Sequence, residues 1–258
     1  MKKLLLAVLT GAAAISLAAC GKKESKLVVG TNAAFPPFEY KDSDGKITGF
    51  DMELIQLYGE SVGKKVEIKD MEFDAALTSA STGKIDIAIA GITKNAKREE
   101  TLSFSDGYYN SNQVVICKQG STYSTLTTET EILAALEGKT IGCQRATTGQ
   151  FYIEGDEDWG FDGIKDATAK PYDNGGLAIK DLNDGKIDAV ILDEAPAKNI
   201  VAKNYSSTLT ILNTALTEEE YAIAVKKGNT ELVKSLNDFI KTIKENGEYA
   251  KLLEKYFG

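Results

Sequence analysis

Short apolar runs alternate with helix-period segments along the chain from residue 26 onward. The runs "LVVGT", "VEIKDM" and "IDIAIAG" are typical of strands, whereas "DMELIQLYGESVG" and "FDAALTSASTG" between them are typical of helices. In the second of these helices, Phe73, Ala76, Leu77 and Ala80 share one face. Such alternation predicts βαβ units around a mostly parallel sheet, so the predicted fold class is α/β.

The tetrapeptide "GKID" occurs twice, beginning at Gly83 and again at Gly185. In each copy the glycine is placed to end a helix, and "ID" begins an apolar run that suits a buried strand. Around the second copy, "KTIGCQ", "TAKPY" and "IDAVILD" are predicted strands, with helices over roughly 150–158 and over "GLAIKDLNDG". The sequence therefore predicts one βαβαβ unit built twice, which gives two lobes.

Two further segments connect these units. "FSDGYYNSNQVVIC" leads out of the first lobe, and "LTEEEYAIAV" is a predicted return strand. After it, Leu232, Leu236, Phe239 and Ile243 share one helix face, and Gly247 predicts a break before a last helix. The periodicity does not assign these C-terminal helices to either lobe.

Composition narrows the function classes. With 43% apolar and 26% charged residues, the chain has the make-up of a globular protein. Its net charge of −8 becomes −10 if Lys2 and Lys3 are removed with a leader, and no basic stripe is present, so no nucleic-acid partner is expected. The chain has no histidine and no paired-cysteine metal motif, so no metal, cofactor or histidine-based catalysis is predicted.

The first residues, "MKKLLLAVLTGAAAISLAAC", join two lysines to an apolar run that is shorter than a membrane span. "LAAC" followed by Gly21 resembles a bacterial lipobox. Residues 1–20 are therefore predicted to be a lipoprotein signal peptide whose Cys20 becomes a lipid anchor, with residues 21–25 as a tether. The predicted location is extracytoplasmic, at the cell membrane. An ordinary secretion signal with a stray cysteine is the alternative.

Cys117 and Cys143 lie in the predicted strands "VVIC" and "TIGC". Buried free thiols are favoured, although an exported protein would permit a disulfide.

Candidate binding residues follow the strands of the repeat, because ligands bind beyond the carboxyl ends of parallel strands. "AGIT" ends at Thr93, and "LDEA" contains Asp193. Arg98 is either a solvated arginine among other charges or a bidentate partner for a carboxylate. Asp193 either caps the following helix or binds an ammonium group. "QRATTGQ" offers hydroxyls and backbone N–H groups at a predicted helix start, which favour an anion.

Phe35, Phe50 and Phe73 are candidates for either the core or a ligand platform. Taken together, a cation, an acid and aromatic rings at the strand ends predict a cleft that binds a zwitterion.

The motifs "VVGTNAAFPPFEY…GKITGFDMELIQ", "FDAALTSASTGKIDIAIAGIT…R…FSDGYY" and "DGKIDAVILDEAP" resemble the extracytoplasmic polar amino-acid-binding proteins of ABC transporters, solute-binding protein family 3. The resemblance runs from about residue 26 to 258. It implies a two-lobed periplasmic-binding-protein fold in which each lobe is a mostly parallel sheet flanked by helices, joined by two crossover strands. Lobe one would comprise residues 26–108 and 217–258, and lobe two residues 109–216.

The resemblance also implies the site and the partners. A polar L-amino acid would be held between the lobes and passed to an ABC permease by a monomeric protein. Its α-carboxylate would be bound by Arg98 with Thr93 and Thr148, and its α-ammonium by Asp193 and the Gly91 carbonyl. The side-chain slot would be lined by Phe35 and Phe73, with Asn32 and Gln144 near its polar end. The "IDAVILD" strand would separate the strands of the two cysteines.

Three positions depart from the family pattern. Asn32 stands where many relatives have aspartate, Ala146 where glycine is usual, and Asn95 where a second threonine is frequent. Asn32 and Gln144 can each donate and accept hydrogen bonds, so a neutral polar ligand side chain such as an amide is favoured over a cationic one. An acid elsewhere in the cleft would reverse this preference.

Two other function classes stay open from the residues. A dehydratase-like enzyme could use the same scaffold with Glu194 as a general acid, but no histidine partner, metal or nucleophile motif supports it. A sensory binding module is the second alternative. The sequence favours a binding protein that is not an enzyme.

Overall fold

The computed structural model of the protein describes residues 26–258. The predicted signal peptide, the lipidation site at Cys20 and the tether over 21–25 lie outside the described residues. The strands are β1 (Lys26–Thr31), β2 (Ala34–Phe35), β3 (Glu39–Lys41), β4 (Ile47–Thr48), β5 (Lys65–Asp70), β6 (Ile87–Ala88), β7 (Leu102–Phe104), β8 (Tyr109–Ser111), β9 (Gln113–Lys118), β10 (Thr140–Gln144), β11 (Thr168–Tyr172), β12 (Ala189–Asp193), β13 (Leu209–Ile211), β14 (Glu219–Tyr221) and β15 (Ala224–Lys226).

Helices lie between these strands and at the C-terminus. They are α1 (Phe50–Ser61), α2 (Phe73–Thr82), α3 (Ala96–Glu99), α4 (Glu129–Leu136), α5 (Thr148–Glu154), α6 (Gly175–Asn183), α7 (Glu194–Asn204), α8 (Thr230–Glu245) and α9 (Glu248–Phe257), with a 3₁₀ turn over Glu157–Trp159.

Two five-stranded sheets organise the described chain, in the orders β5-β1-β6-β15-β7 and β11-β10-β12-β9-β13. In each sheet four strands run in the same direction, and the fourth strand in the order is reversed. We call the half of the fold around the first sheet lobe one and the half around the second lobe two. This arrangement confirms the predicted α/β fold with two mostly parallel sheets.

The strands β8 and β14 connect the lobes. They pair with each other in antiparallel fashion, with Tyr221 opposite Tyr109 and Glu219 opposite Ser111. Each runs directly into the reversed strand of a sheet, β8 into β9 and β14 into β15. The two crossover strands therefore form one ribbon from which both lobes extend.

The repeated "GKID" has the same structural role in each lobe. Gly83 follows α2 in the left-handed conformation, with φ of 74°, and Gly185 follows α6 with φ of 77°. The carboxylate of Asp86 accepts a hydrogen bond of 2.8 Å from the backbone N–H of Val28 in β1. Equivalently, Asp188 accepts one of 2.9 Å from Thr140 in β10. Each copy thus ends a helix and ties its strand to the neighbouring one.

Central strands are buried on both faces, which explains their unbroken apolar runs. All five residues of β12 are buried, as are the first five of β9. The same strand β12 lies between β9 and β10, the strands that carry Cys117 and Cys143. Both cysteines are buried free thiols, as predicted.

The C-terminal helices pack against lobe one, which periodicity had left open. Helix α8 contacts β7 and α1, and α9 contacts α1. Leu236, Phe239 and Ile243 are buried, whereas Leu232 is only partly buried. Among residues 26–258, no helix is long and apolar enough to cross a membrane.

Two local predictions were wrong in extent. Only Ile87–Ala88 of "IDIAIAG" forms ladder pairs, and the helix predicted to reach residue 158 ends at Glu154 because Gly155 takes φ of 81°.

Candidate functional site

One cavity between the lobes is lined by all nine predicted binding residues: Asn32, Phe35, Phe73, Gly91, Thr93, Arg98, Gln144, Thr148 and Asp193. The cavity measures only about 10 Å³, which is roughly the space of one water molecule. The lobes are therefore closed on each other, and a molecule of amino-acid size enters only when they separate. Sequence reasoning did not single out Glu39 and Thr147, which also line the cavity.

Arg98 is held in a fixed position and is 8% exposed, so the interpretation as a solvated arginine is wrong. It lies in the short helix α3, whose start is capped by Asn95 through a 2.8 Å hydrogen bond from the Arg98 N–H. Its Nη1 donates to the carbonyl of Thr93 at 2.7 Å, and Nη2 donates to the carbonyl of Ala146 in lobe two at 3.1 Å. Burial lowers the pKa of Arg98 to about 10, so the guanidinium stays charged at neutral pH.

The hydroxyls of Thr93 and Thr148 converge on one acceptor, Glu219. Its Oε2 accepts 2.5 Å and 2.8 Å hydrogen bonds from Thr93 and Thr148, respectively. Its Oε1 accepts from the hydroxyl of Thr217 at 2.7 Å and from Nε2 of Gln113 at 2.9 Å. A crossover-strand carboxylate therefore holds hydroxyls from both lobes. Sequence reasoning missed Glu219, although it stands two residues before the buried Tyr221 and so shares its strand face.

Asp193 lies at the end of β12 and is 5% exposed. Asp193 occupies the N-cap position of α7, as one interpretation of the sequence had it, but its side chain makes no capping hydrogen bond. Instead, its Oδ1 accepts hydrogen bonds from the hydroxyls of Tyr221 at 2.5 Å and Ser111 at 3.3 Å. Burial, followed by the negative charge of Glu219, raises the pKa of Asp193 to about 7.

A second acidic pair is formed by Glu39, which lines the cavity, and Asp51, which does not, and both residues are fully buried. Oδ2 of Asp51 accepts hydrogen bonds from the backbone N–H of Gly91 at 3.0 Å and from the hydroxyl of Tyr108 at 2.7 Å. Burial and the neighbouring Asp51 raise the pKa of Glu39 well above its usual value, and burial raises that of Asp51 to about 6. The two carboxyl groups can therefore share a proton, which a sequence pattern does not reveal.

The aromatic residues serve both the core and the cavity wall. Phe35 and Phe73 are each 6% exposed and line the cavity, whereas Phe50 is fully buried in the core of lobe one. Gly91 has φ of 54°, and a Cβ there would lie 2.8 Å from Phe35 and 3.1 Å from Tyr221. Glycine at this position therefore allows the strand-end loop to pass directly against both rings.

Asn32 and Gln144 meet across the cleft. Nε2 of Gln144 donates to Oδ1 of Asn32 at 3.0 Å, and Nδ2 of Asn32 donates to the carbonyl of Met71 at 3.0 Å. This amide pair joins lobe two to lobe one at the same cavity.

The departures from the family pattern have structural counterparts. Ala146 has φ of 59°, a conformation that glycine adopts more readily, and Asn95 is the N-cap of α3. Both residues support the position of Arg98, Ala146 by its carbonyl and Asn95 by its side chain.

Comparisons with known proteins agree with this geometry. The model of the bacterial extracellular solute-binding proteins, family 3, matches residues 27–258. A probable histidine-binding protein of Neisseria gonorrhoeae is 32% identical over 269 residues, covering 100% of this chain and 96% of that protein. An ancestral arginine-binding protein bound to arginine is 36% identical with a TM-score of 0.81, covering 91% of this chain and 99% of that one.

An ancestral arginine-binding protein bound to glutamine superposes with a TM-score of 0.80 and 36% identity, covering 91% of this chain and 98% of that one. These relatives are amino-acid-binding proteins and not enzymes, and the family is extracytoplasmic. The opposed Arg98 and Asp193, the two mixed sheets and the family match lead to one conclusion. This chain belongs to the bacterial extracellular solute-binding proteins of family 3 and is a binding protein for polar amino acids.

Proposed function

We propose that this protein is the substrate-binding lipoprotein of an ABC importer, which captures a polar L-amino acid between its lobes and delivers it to the permease. The observation that carries the proposal is the presence of a buried cation, Arg98, and a buried acid, Asp193, in one cavity. A free amino acid carries a carboxylate and an ammonium group on one carbon atom. A fixed guanidinium and a carboxylate complement these two charges.

The binding roles follow from the donors and acceptors around the cavity. Arg98, together with the groups of Thr93 and Thr148, receives the α-carboxylate, and Asp193 with the Gly91 carbonyl receives the α-ammonium. Charge-assisted hydrogen bonds contribute roughly 1.5–3 kcal/mol each. A micromolar dissociation constant requires about 8 kcal/mol, so these contacts and an apolar slot suffice.

Phe35 and Phe73 line the side-chain slot, with Asn32 and Gln144 at its polar end. The two amides favour a neutral polar side chain. Glu39, a buried acid at the cavity wall, argues for a cationic one. The relatives include both kinds of ligand side chain. One is named for histidine and one is an arginine-binding protein bound to arginine, whereas another arginine-binding protein is bound to glutamine. The proposal is therefore a polar L-amino acid of either kind.

Ligand binding drives closure in this proposal. The charged groups of the ligand contact residues from both lobes, so they have all their hydrogen-bond partners only when the lobes are closed. Binding therefore shifts the hinge equilibrium towards the closed form. The closed form is then recognised by the permease. Residues 26–108 with 217–258 move as one lobe and residues 109–216 as the other, in a monomer.

Anchoring is a separate part of the proposal. Lipid attached at Cys20 holds the protein at the outer face of the cell membrane, supported by the "LAAC" segment after an apolar run. A Cys20→Ala variant is expected to lose incorporation of a labelled fatty acid and to leave the membrane fraction. Retention of the label would refute lipid attachment at Cys20 and would leave the binding proposal unaffected.

A thermal-shift panel of the twenty common L-amino acids tests the binding function. One or a few are expected to raise Tm by several degrees, because 100-fold excess over Kd stabilises by about 2.7 kcal/mol. Arg98→Ala and Asp193→Ala should abolish the shift while the ligand-free Tm persists. Arg145→Ala is the matched control, since this other arginine of the chain is half exposed and pairs only distantly with Asp173, at 3.8 Å. Full response in Arg98→Ala would refute the site.

A further inference from the structure

A small hairpin of lobe two, residues 155–163, extends from the end of α5 to the mouth of the cleft. Asp156 and Phe161 pair across it through backbone hydrogen bonds of 2.9 Å and 3.0 Å. Its base is closed by Gly155 and Gly163, where a Cβ on Gly163 would lie 2.8 Å from the nitrogen of Gly155. The 3₁₀ turn at its tip carries Trp159. The hairpin is therefore a compact unit with a defined tip.

Trp159 lies on Arg98. The guanidinium carbon of Arg98 is 5.0 Å from the centroid of the Trp159 ring and 5.2 Å from that of Phe73 in lobe one. Phe151 of α5 packs against the indole at 4.9 Å between centroids, which supports the ring from its own lobe. Arg98 thus has one aromatic ring from each lobe, in addition to its two carbonyl partners.

The neighbouring residues make a second contact between the same two elements. Nζ of Lys97 lies 2.6 Å from the carboxylate of Asp158. Both side chains are about half exposed, so this pair adds little stability by itself. The pair does fix the direction from which the hairpin approaches α3, because two consecutive residues of the hairpin contact two consecutive residues of α3.

We propose that Trp159 is a positioning residue for the carboxylate-binding group. When the lobes close, the hairpin places the indole over the Arg98 guanidinium, fixes its plane and excludes water from it. Asp158 and Lys97 guide this docking. The inference rests on the proposed function, because it takes Arg98 to be the group that receives the α-carboxylate.

Trp159 is also the only tryptophan in the chain, so its fluorescence reports on this contact directly. The probe is whichever of the twenty common L-amino acids binds most tightly to the mature protein in calorimetry. Titrating that amino acid is expected to change the emission of Trp159 and reduce its quenching by acrylamide, with the calorimetric Kd. Binding without any change in emission or quenching would overturn the proposal.

Substitutions at Trp159 then separate the attraction between its ring and the Arg98 cation from the packing of an apolar side chain. Trp159→Leu keeps an apolar side chain and loses the ring, so its Kd for the same amino acid should rise about tenfold, mainly through faster dissociation. Trp159→Phe should recover most of that loss. Phe161→Leu is the control for loss of a hairpin ring. Its ring packs on Tyr152 at 5.2 Å and more distantly on Trp159 at 6.1 Å, and it is not one of the two rings over Arg98, so its Kd should rise far less than that of Trp159→Leu.

The outcomes distinguish this inference from the function on which it rests. Wild-type affinity in Arg98→Ala would remove the binding site itself. Loss of binding in Arg98→Ala together with unchanged affinity and dissociation rate in Trp159→Leu would remove only the positioning role. Equal losses in Trp159→Leu and Phe161→Leu would show that the hairpin acts through its fold, which also contradicts the proposal.

Discussion

Glu219 and Thr148 are joined by a hydrogen bond of 2.8 Å that links a crossover strand to the first residue of α5 in lobe two. The same carboxylate oxygen accepts the hydroxyl of Thr93 in lobe one. An acid from the hinge therefore occupies the two hydroxyls that we assign to the ligand carboxylate. Its negative charge also contributes to the raised pKa of Asp193.

We expect Glu219→Gln to bind the amino acid more tightly, by about three- to tenfold at pH 7. An amide holds the two hydroxyls through neutral hydrogen bonds, which are weaker than those to a carboxylate, and it does not repel the incoming carboxylate. Calorimetry on the purified variant measures this change. Glu220→Gln, on the next residue of the strand, is the control and should leave Kd unchanged. Weaker binding in Glu219→Gln would contradict this interpretation.

The affinity for the amino acid should fall as pH drops below about 7. Asp193 must be ionised to hold the ammonium group, and its pKa is about 7 when the lobes are closed. Below that value a proton has to leave before the ligand binds, so Kd should rise by up to about tenfold per pH unit. Calorimetry between pH 5.5 and 7.5 checks this. In Glu219→Gln, the pH at which the affinity falls should be lower, and a flat profile in wild type would be inconsistent with the role of Asp193.

Local sequence signals were sufficient to predict the two βαβαβ units. In both copies of "GKID" the glycine ends a helix, which is a local signal. The bond from each aspartate to the neighbouring strand joins residues that are 58 and 48 positions apart, and the local pattern did not predict it. The assignment of α8 and α9 to lobe one needed more, because an amphipathic face does not specify which sheet covers it. The resemblance to the family, and not periodicity, predicted that placement.

The strand-end residues predicted from the sequence line the cavity, whereas residues whose position depends on contacts between distant elements were missed. Glu219 is the second of three consecutive glutamates, and only its pairing with β8 turns it into the cleft. Glu39 is a polar residue in an aromatic segment whose burial depends on α1, which carries Asp51. Trp159 lies in a glycine-rich segment, and its contact with Arg98 requires both lobes.

Glu39→Gln should stabilise the ligand-free protein at pH 8 by about 1–2 kcal/mol and have little effect at pH 5. A carboxyl group with a raised pKa binds its proton more tightly when folded, so its contribution to folding stability falls as pH rises from about 4 towards that pKa. An amide can donate to Asp51 as the protonated acid does, without ionising at higher pH. Denaturant unfolding at both pH values measures the difference. A similar loss of stability at pH 5 and pH 8 would mean that Glu39 is needed for its shape instead.

Gly91→Ala should lower the free energy of unfolding by more than the cost of placing alanine in a left-handed backbone conformation. A left-handed residue with a Cβ costs roughly 1–2 kcal/mol, and the added atom would also lie 2.8 Å from Phe35. Gly45→Ala is the matched control, because Gly45 has φ of 76° and open space around the position of a Cβ. The excess loss of stability in Gly91→Ala over Gly45→Ala, measured by denaturant unfolding, is the cost of the contact with the rings.

Because Phe35 lines the cavity, Gly91→Ala should also weaken amino-acid binding, whereas Gly45→Ala should not. Equal losses of stability in the two variants, with unchanged binding, would show that the loop at Gly91 can move away from Phe35 at no cost.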